Sequence, residues 1–339
     1  MTDIADPFRE RERLTETRTL YVLGADVEFR SNDRRLLALA VHAFGGLPRH
    51  RWRRTRCALR IQLRLVPRAS KTRAVPPAPR FTSGVECLVA TVDADNFAIV
   101  DPGRHAAVVQ VSSDMLAHPY HVRYELIEFA AITLATRAQS LLPLHAACVG
   151  RRGRGLLLLG DSGAGKSSFV LAAALQGLEL LAEDSVFVHP AERRATGVAA
   201  FVHVRPSGVR LVRSARVRAR IERAPMIRRR SGALKRELDI RHGLASLAPR
   251  PFEIVAMLVL SPGRSKAASQ LRCITPDAHA RLLRRLQPYA ARHQDWPELE
   301  GHLARVGAYR LLRGPKIEDS VRAACALLPP PRAPAWREP

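Results

Sequence analysis

The order of signals along this sequence predicts an α/β protein in two parts, a smaller N-terminal α/β unit followed by a larger α/β core. Three observations carry that expectation. Short apolar runs alternate with stretches of helical spacing through the first 140 residues. A run of four leucines, Leu156 to Leu159, leads directly into a glycine-rich turn and then a second apolar stretch of helical length. The 339 residues are 47% apolar, enough to bury a real core in one large or two modest domains. The expected division is 1–125 for the N-terminal unit, 126–327 for the core and 328–339 for a disordered proline-rich tail.

In chain order, Thr19-Leu-Tyr-Val-Leu and Val27-Glu-Phe read as short strands around a turn at Gly24. A helix is expected from Asp33 to Phe44, capped by Ser31 or Asn32 and stopped by Gly45-Gly46. The second half of Cys57-Ala-Leu-Arg-Ile-Gln-Leu-Arg-Leu-Val alternates like a half-buried strand. Residues 68–80 are polar and proline-rich, an exposed loop. Phe97-Ala-Ile-Val and Ala106-Ala-Val-Val-Gln-Val read as strands. Helical spacing of Leu126, Ile127, Ala130, Ala131 and Leu134 marks a helix from Tyr124 to about Ser140, joining the two parts.

Residues 160–167 fit G-x-x-x-x-G-K-[ST] at every specified position, between an apolar strand and a helix. Glycines let the backbone wrap a phosphate closely and turn N–H groups toward its oxygens, helped by the positive helix end. The candidate nucleotide-binding residues are therefore Gly160, Asp161, Ser162, Gly163, Ala164, Gly165, Lys166, Ser167 and Ser168. Lys166 pairs with the β- and γ-phosphates, and the Ser167 hydroxyl sits on Mg²⁺. With no N-K-x-D tetrapeptide to read guanine, ATP is the expected nucleotide. Downstream, Glu183-Asp184 places two carboxylates at a strand end. One can hold the metal while the other accepts a proton, although an exposed turn reads the same way. His145 lies on the strand feeding toward the loop, either as a hydrogen-bonded core residue or as a catalyst.

Together, Leu144-His145-Ala-Ala, the loop from Gly160 to Ser167 and Leu181-Ala-Glu183-Asp184 resemble the HPr kinase/phosphorylase family, in particular the HPr-kinase-related kinases. The strong match covers residues 144–188 and fades through Pro251–Leu260 to Tyr309–Leu312. The resemblance implies a P-loop kinase core of HPr-kinase/phosphoenolpyruvate-carboxykinase type and transfer of phosphate from ATP, with Mg²⁺, to a serine. It implies phosphate binding by Lys166, metal binding by Ser167, Glu183 and Asp184, and catalytic roles for Asp184, His145 and Lys166. The acceptor it implies is a serine in a protein or peptide, and the family often forms homo-oligomers. Two departures stand out. The family's acidic pair is usually Asp-Asp, whereas its first member here is Glu183. His203-Val-Arg205-Pro-Ser-Gly208 only loosely echoes the Glu-x-Arg-Gly-x-Gly stretch of the bifunctional enzymes. A nucleotide-binding regulatory or assembly module, or a small-molecule kinase, is the alternative reading.

The formal charge of +24 comes from 55 basic against 31 acidic residues. Fifty of the basic residues are arginines and five are lysines, a compositional skew more than a nucleic-acid signature. Ten arginines fall within 205–230, where Arg216, Arg218 and Arg220 alternate as in an exposed strand or loop. This segment reads as a basic lid, a nucleic-acid contact or a solvated loop. It lacks interleaved aromatics, so nucleic acid is a minor expectation. No apolar run is long enough for a membrane span. The charged start and five scattered cysteines point to a cytoplasmic protein with reduced thiols.

Overall fold

The computed structural model describes residues 13–52, 58–68, 75–84, 86–161, 163–210, 212–265 and 268–330. Ser162, residues 69–74 of the expected loop and the tail beyond Pro330 lie outside them. The fold is mixed α/β, with sheets of seven, ten and three strands among the described residues. Contacts divide the chain into Met1–Gly45 with Arg54–Gln139, and Gly46–Arg53 with Ser140–Pro339.

The first unit is built on one seven-stranded sheet. β1 (Glu16–Val22) and β2 (Ala25–Ser31) form a hairpin whose two turn residues, Leu23 and Gly24, both have positive φ, as a tight hairpin of this hand requires. β2, β3 (Leu59–Val66) and β7 (Ala106–Ser112) run parallel. β4 (Arg80–Ser83), β5 (Leu88–Thr91) and β6 (Phe97–Asp101) extend the sheet antiparallel beyond β7. The sheet order is β1-β2-β3-β7-β6-β5-β4. The helix Arg34–Phe44 makes the crossover that parallel β2 and β3 need. Its cap is Asp33, whose carboxylate accepts from Arg35 N–H at 2.7 Å, and not the expected Ser31 or Asn32. Both are already engaged with β3. The Ser31 hydroxyl donates to Leu63 O, and the Asn32 amide exchanges two bonds with the Leu65 backbone. The helical spacing after Tyr124 corresponds to a π-turn, Val122–Ile127, followed by the helix Glu128–Ala138. That helix packs on β3, β6 and β7, so the contact division falls after Gln139 instead of at the 125/126 boundary read from sequence.

The second unit centres on β18 (Phe252–Arg264), the spine of a ten-stranded mixed sheet. β10 (Arg154–Leu159) lies parallel along one side of it. β13 (Arg194–Gly197) and then β20 (Gly307–Arg313) take the other side, and β19 (Gln270–Cys273) flanks β20. β9 (Ala147–Arg151), β11 (Glu179–Ala182) and β17 (Ser246–Leu247) continue beyond β10, while β12 (Ser185–His189) and β8 (Leu142–His145) continue beyond β13. The four leucines of β10 are buried on both faces, as a strand covered on both sides requires. Leu156 and Leu158 join Phe169 and Val170 of the helix Lys166–Leu175. Leu157 and Leu159 join Leu283, Trp296, Leu299 and Leu303 from the helices Pro276–Leu286 and Trp296–Leu303. The result is a helix–sheet–helix sandwich with β10 at its centre.

A three-stranded sheet, ordered β14 (Phe201–Val204), β16 (Leu234–Asp239), β15 (Met226–Arg228), completes this unit. Arg216, Arg218 and Arg220 do not lie in an extended segment. They belong to a helix, Ala215–Arg223, capped by Ser214. Val217 and Ile221, four apart, give it an inward stripe that the arginine alternation obscures. Residues 46–52 are tied here by buried His50, which bonds Thr196 Oγ1 at 2.7 Å and Ala248 O at 2.8 Å. No helix among the described residues is long and apolar enough to cross a membrane.

Gly150 and Gly155 face each other across β9 and β10. A Cβ on Gly155 would stand 2.7 Å from Phe252 Cδ2 and 2.9 Å from Cys148 Sγ. Gly155→Ala is expected to lower stability by about 1–3 kcal/mol through overpacking, measured by urea unfolding; an unchanged midpoint would show that the core can yield there.

Candidate phosphate-binding site

β10 ends at Leu159, the chain turns through Gly160–Gly165, and a helix starts at Lys166. At two of the turn's glycines a positive φ coincides with a close neighbour. Gly160 has φ +149°, and a Cβ there would meet Leu260 O at 2.9 Å. Gly165, the residue before the helix, has φ +97° and lies against the Arg313 guanidinium, which a Cβ would approach to 2.4 Å. The turn thus leaves the first helical N–H groups open to an anion.

Lys166 is only 7% exposed. Its Nζ donates to Gly160 O at 2.7 Å and stands 3.3 Å from His145 Nε2. Burial holds its pKa below the usual lysine value, although Asp184, Glu183 and Asp161 pull the other way. The Ser167 hydroxyl donates to Glu183. Glu183 and Asp184 occupy the turn between β11 and β12 and point differently. Glu183 is buried, whereas the Asp184 side chain is 45% exposed. The second Glu183 oxygen accepts from His203 Nδ1 at 3.2 Å, and His203 Nε2 faces Glu237 Oε1 at 3.3 Å. Burial alone would raise the Glu183 pKa, but His203 and Ser167 more than offset it and hold the carboxyl below its usual range. Burial likewise pushes His203 down, and its two carboxylate partners prevail, raising it above the ordinary imidazole value.

His145 is not on the strand that feeds the loop. It ends β8, an edge strand paired with β12 so that His145 stands opposite Ser185. This register brings His145 Nδ1 to 3.6 Å from Asp184 Oδ1. Its backbone is held on the open edge by Gln287, which is 2% exposed. The Gln287 Oε1 accepts from His145 N–H at 2.8 Å, and its Nε2 donates to His145 O at 3.0 Å.

His145, Lys166, Ser167, Asp184 and His203 wall a cavity of about 420 Å³, which also receives Asp161, Gly163, Gly165 and Ser168. Three cations from distant segments join Lys166 there: Arg205, Lys235 and Arg313. Such a cluster favours a polyanion. Asp161 is also 3.4 Å from Arg285. Sequence reasoning missed Lys235, Arg313, Gln287 and the His203–Glu237 pair. Lys235 carried a signal, being one of only five lysines in the chain. Gln287 carried none, since 142 positions separate it from His145. Of the ten arginines in 205–230, Arg205 alone lines the cavity.

No family model matches this sequence, and no curated protein matches it either.

Because Glu237 is one of the two carboxylates that raise the His203 pKa, Glu237→Gln is expected to move its titration midpoint to lower pH. NMR titration of the imidazole reads this directly; an unmoved midpoint would assign the proton to Glu183 alone.

Proposed function

We propose that the protein is an ATP-dependent kinase of the HPr-kinase-like type, transferring the γ-phosphate to a hydroxyl, with a serine of a protein or peptide as acceptor. The observation that supports it most is the meeting of Lys166, Ser167, Asp184 and His145 on one cavity, with Glu183 directly behind Ser167. In this reading the loop N–H groups and Lys166 hold the phosphates, and Arg205, Lys235 and Arg313 balance their charge.

Among the described residues no cluster of three or more His, Cys, Asp or Glu is arranged to hold a metal ion by itself. Mg²⁺ in phosphoryl-transfer sites usually takes one or two carboxylates and completes its shell with phosphate oxygens and water. The oxygen donors of Ser167, Glu183 and Asp184 suit that requirement. The extra methylene of Glu183 relative to aspartate carries its carboxylate to the Ser167 hydroxyl. When bound, the ion supplies charge neutralisation at the transferring phosphoryl group.

Asp184, partly exposed at the cavity wall, is the base. As the acceptor oxygen bonds to the γ-phosphorus, its proton passes to the Asp184 carboxylate, and the bond from the γ-phosphorus to the bridging oxygen breaks to release ADP. His145, beside both Asp184 and Lys166, orients the carboxylate. One observation favours a second reading, a nucleotide-binding module without transfer: Glu183 is already engaged by Ser167 and His203.

The two readings separate in an acceptor screen with isotopically labelled ATP, read by mass spectrometry. Lys166→Ala is expected to lose nucleotide binding. Asp184→Asn is expected to retain binding and lose transfer by roughly 10²–10⁴-fold. Undiminished transfer by Asp184→Asn would remove it as the base, and tight ATP binding with no transfer to any acceptor would favour the module.

A further inference from the structure

The three-stranded sheet separates the phosphate cavity from another concavity, of about 530 Å³. Lys235 and Arg236 are consecutive on β16, so their side chains leave opposite faces of the sheet. Lys235 lines the phosphate cavity and Arg236 lines the other concavity. The chain after β14 is shared in the same way. Arg205, Ser207 and Gly208 face the phosphate cavity, whereas Pro206, Val209 and Arg210 face its neighbour.

The charge of this neighbour is uncompensated. Arg218 and Arg236 are half-buried, and neutral groups hold them. Arg218 Nη1 donates to Val212 O and Arg213 O, each at 2.9 Å, and Arg236 Nη1 donates to Ala224 O at 2.9 Å. Arg210 lies exposed in the same wall. None of the three pairs with a carboxylate among the described residues, unlike Arg241 and Arg284 elsewhere in the chain. Glu222 is the acid in the wall, so three guanidiniums face one carboxylate. Val209 and Met226, the latter 42% exposed, add apolar surface.

We propose that this concavity docks an acidic segment of a peptide or protein whose serine is presented to the phosphate cavity, an acceptor class that rests on the kinase reading above. A guanidinium offers a planar fork of donors that matches a carboxylate. Here carbonyl bonds aim two such forks before any ligand arrives, and partial burial strengthens their pull on an anion. The short helix Pro206–Val209, shared by both concavities, rises only about 6 Å. An extended peptide crosses that in about two residues, so the acid belongs within a few positions of the serine. A nucleic-acid strand suits the surface less, because no aromatic side chain stands among the described walls for a base to stack on.

Fluorescence anisotropy of the full chain with serine-centred peptide pools tests the assignment, one pool carrying Glu at the flanking positions and a matched pool carrying Lys. A labelled oligothymidylate is titrated in parallel, and Mg²⁺·ATP binding is followed by calorimetry. The variants are Arg210→Glu, at an exposed position, and Arg236→Gln, which keeps a donor for Ala224 O; thermal unfolding checks that both are folded. Wild type is expected to bind the Glu pool at least about tenfold more tightly than the Lys pool. Each variant is expected to weaken Glu-pool binding at least about fivefold, with Mg²⁺·ATP affinity held within about twofold. In transfer assays with labelled ATP, both variants are expected to raise KM for the Glu pool and leave kcat unchanged. Equal affinity for the two pools, or a Glu-pool affinity and KM that neither variant changes, would overturn the assignment. Tighter binding of the oligothymidylate, lost in both variants, would overturn it in favour of nucleic acid. Glu-pool binding that both variants weaken, in a chain that binds no Mg²⁺·ATP, would overturn the kinase reading and leave the acidic-peptide site standing.

Discussion

A carboxylate taken out of water must find donors or lose its charge, and the second unit is organised around satisfying one. Burying an ion without compensation costs several kcal/mol. Glu183 receives the Ser167 hydroxyl from the first turn of the loop helix and the His203 imidazole from β14. His203 in turn reaches Glu237 on β16. One charge thereby fixes the β11–β12 turn, the helix after the loop and the three-stranded sheet relative to one another. Asp184, the next residue, gains from this rigidity: its neighbour is locked, so it faces the cavity from a fixed base.

What the sequence made legible was local. The loop could be read because its glycines, lysine and serine fall within one short stretch, 160–167, and each answers to a requirement of its own turn. The acidic pair was readable for the same reason, since two apolar strands flank it directly. The helix at 215–223 was hidden because alternating arginines mimic a strand; its decisive feature is the pair Val217 and Ile221, which has meaning only once a core lies beneath them. The cap at Asp33 was misplaced because Ser31 and Asn32 had partners on a strand about thirty residues away. The rest of the site depends on contacts of still longer range. Gln287, Lys235 and Arg313 arrive from a helix end, a separate sheet and the strand beside β18, and no spacing rule links them to the loop.

The high positive charge resolves into two populations. Several arginines sit beside carboxylates of their own neighbourhood, such as Arg241 with Asp239 and Arg284 with Glu300. The cavity uses lysine twice, at Lys166 and Lys235, and burial lowers both toward the neutral form. An ammonium short of solvent gains more from an arriving anion than a hydrated one does, so desolvation makes these two residues the receptive ones.

The clasp of Gln287 on His145 has a further consequence. β8 is an edge strand of the ten-stranded sheet, and an open strand edge invites pairing with another chain. By engaging both backbone groups of His145, the Gln287 amide imitates one residue of a missing neighbour. The strand end nearest the cavity is therefore closed to addition, which guards the part of the sheet where misplaced pairing would pull the histidine away from Asp184.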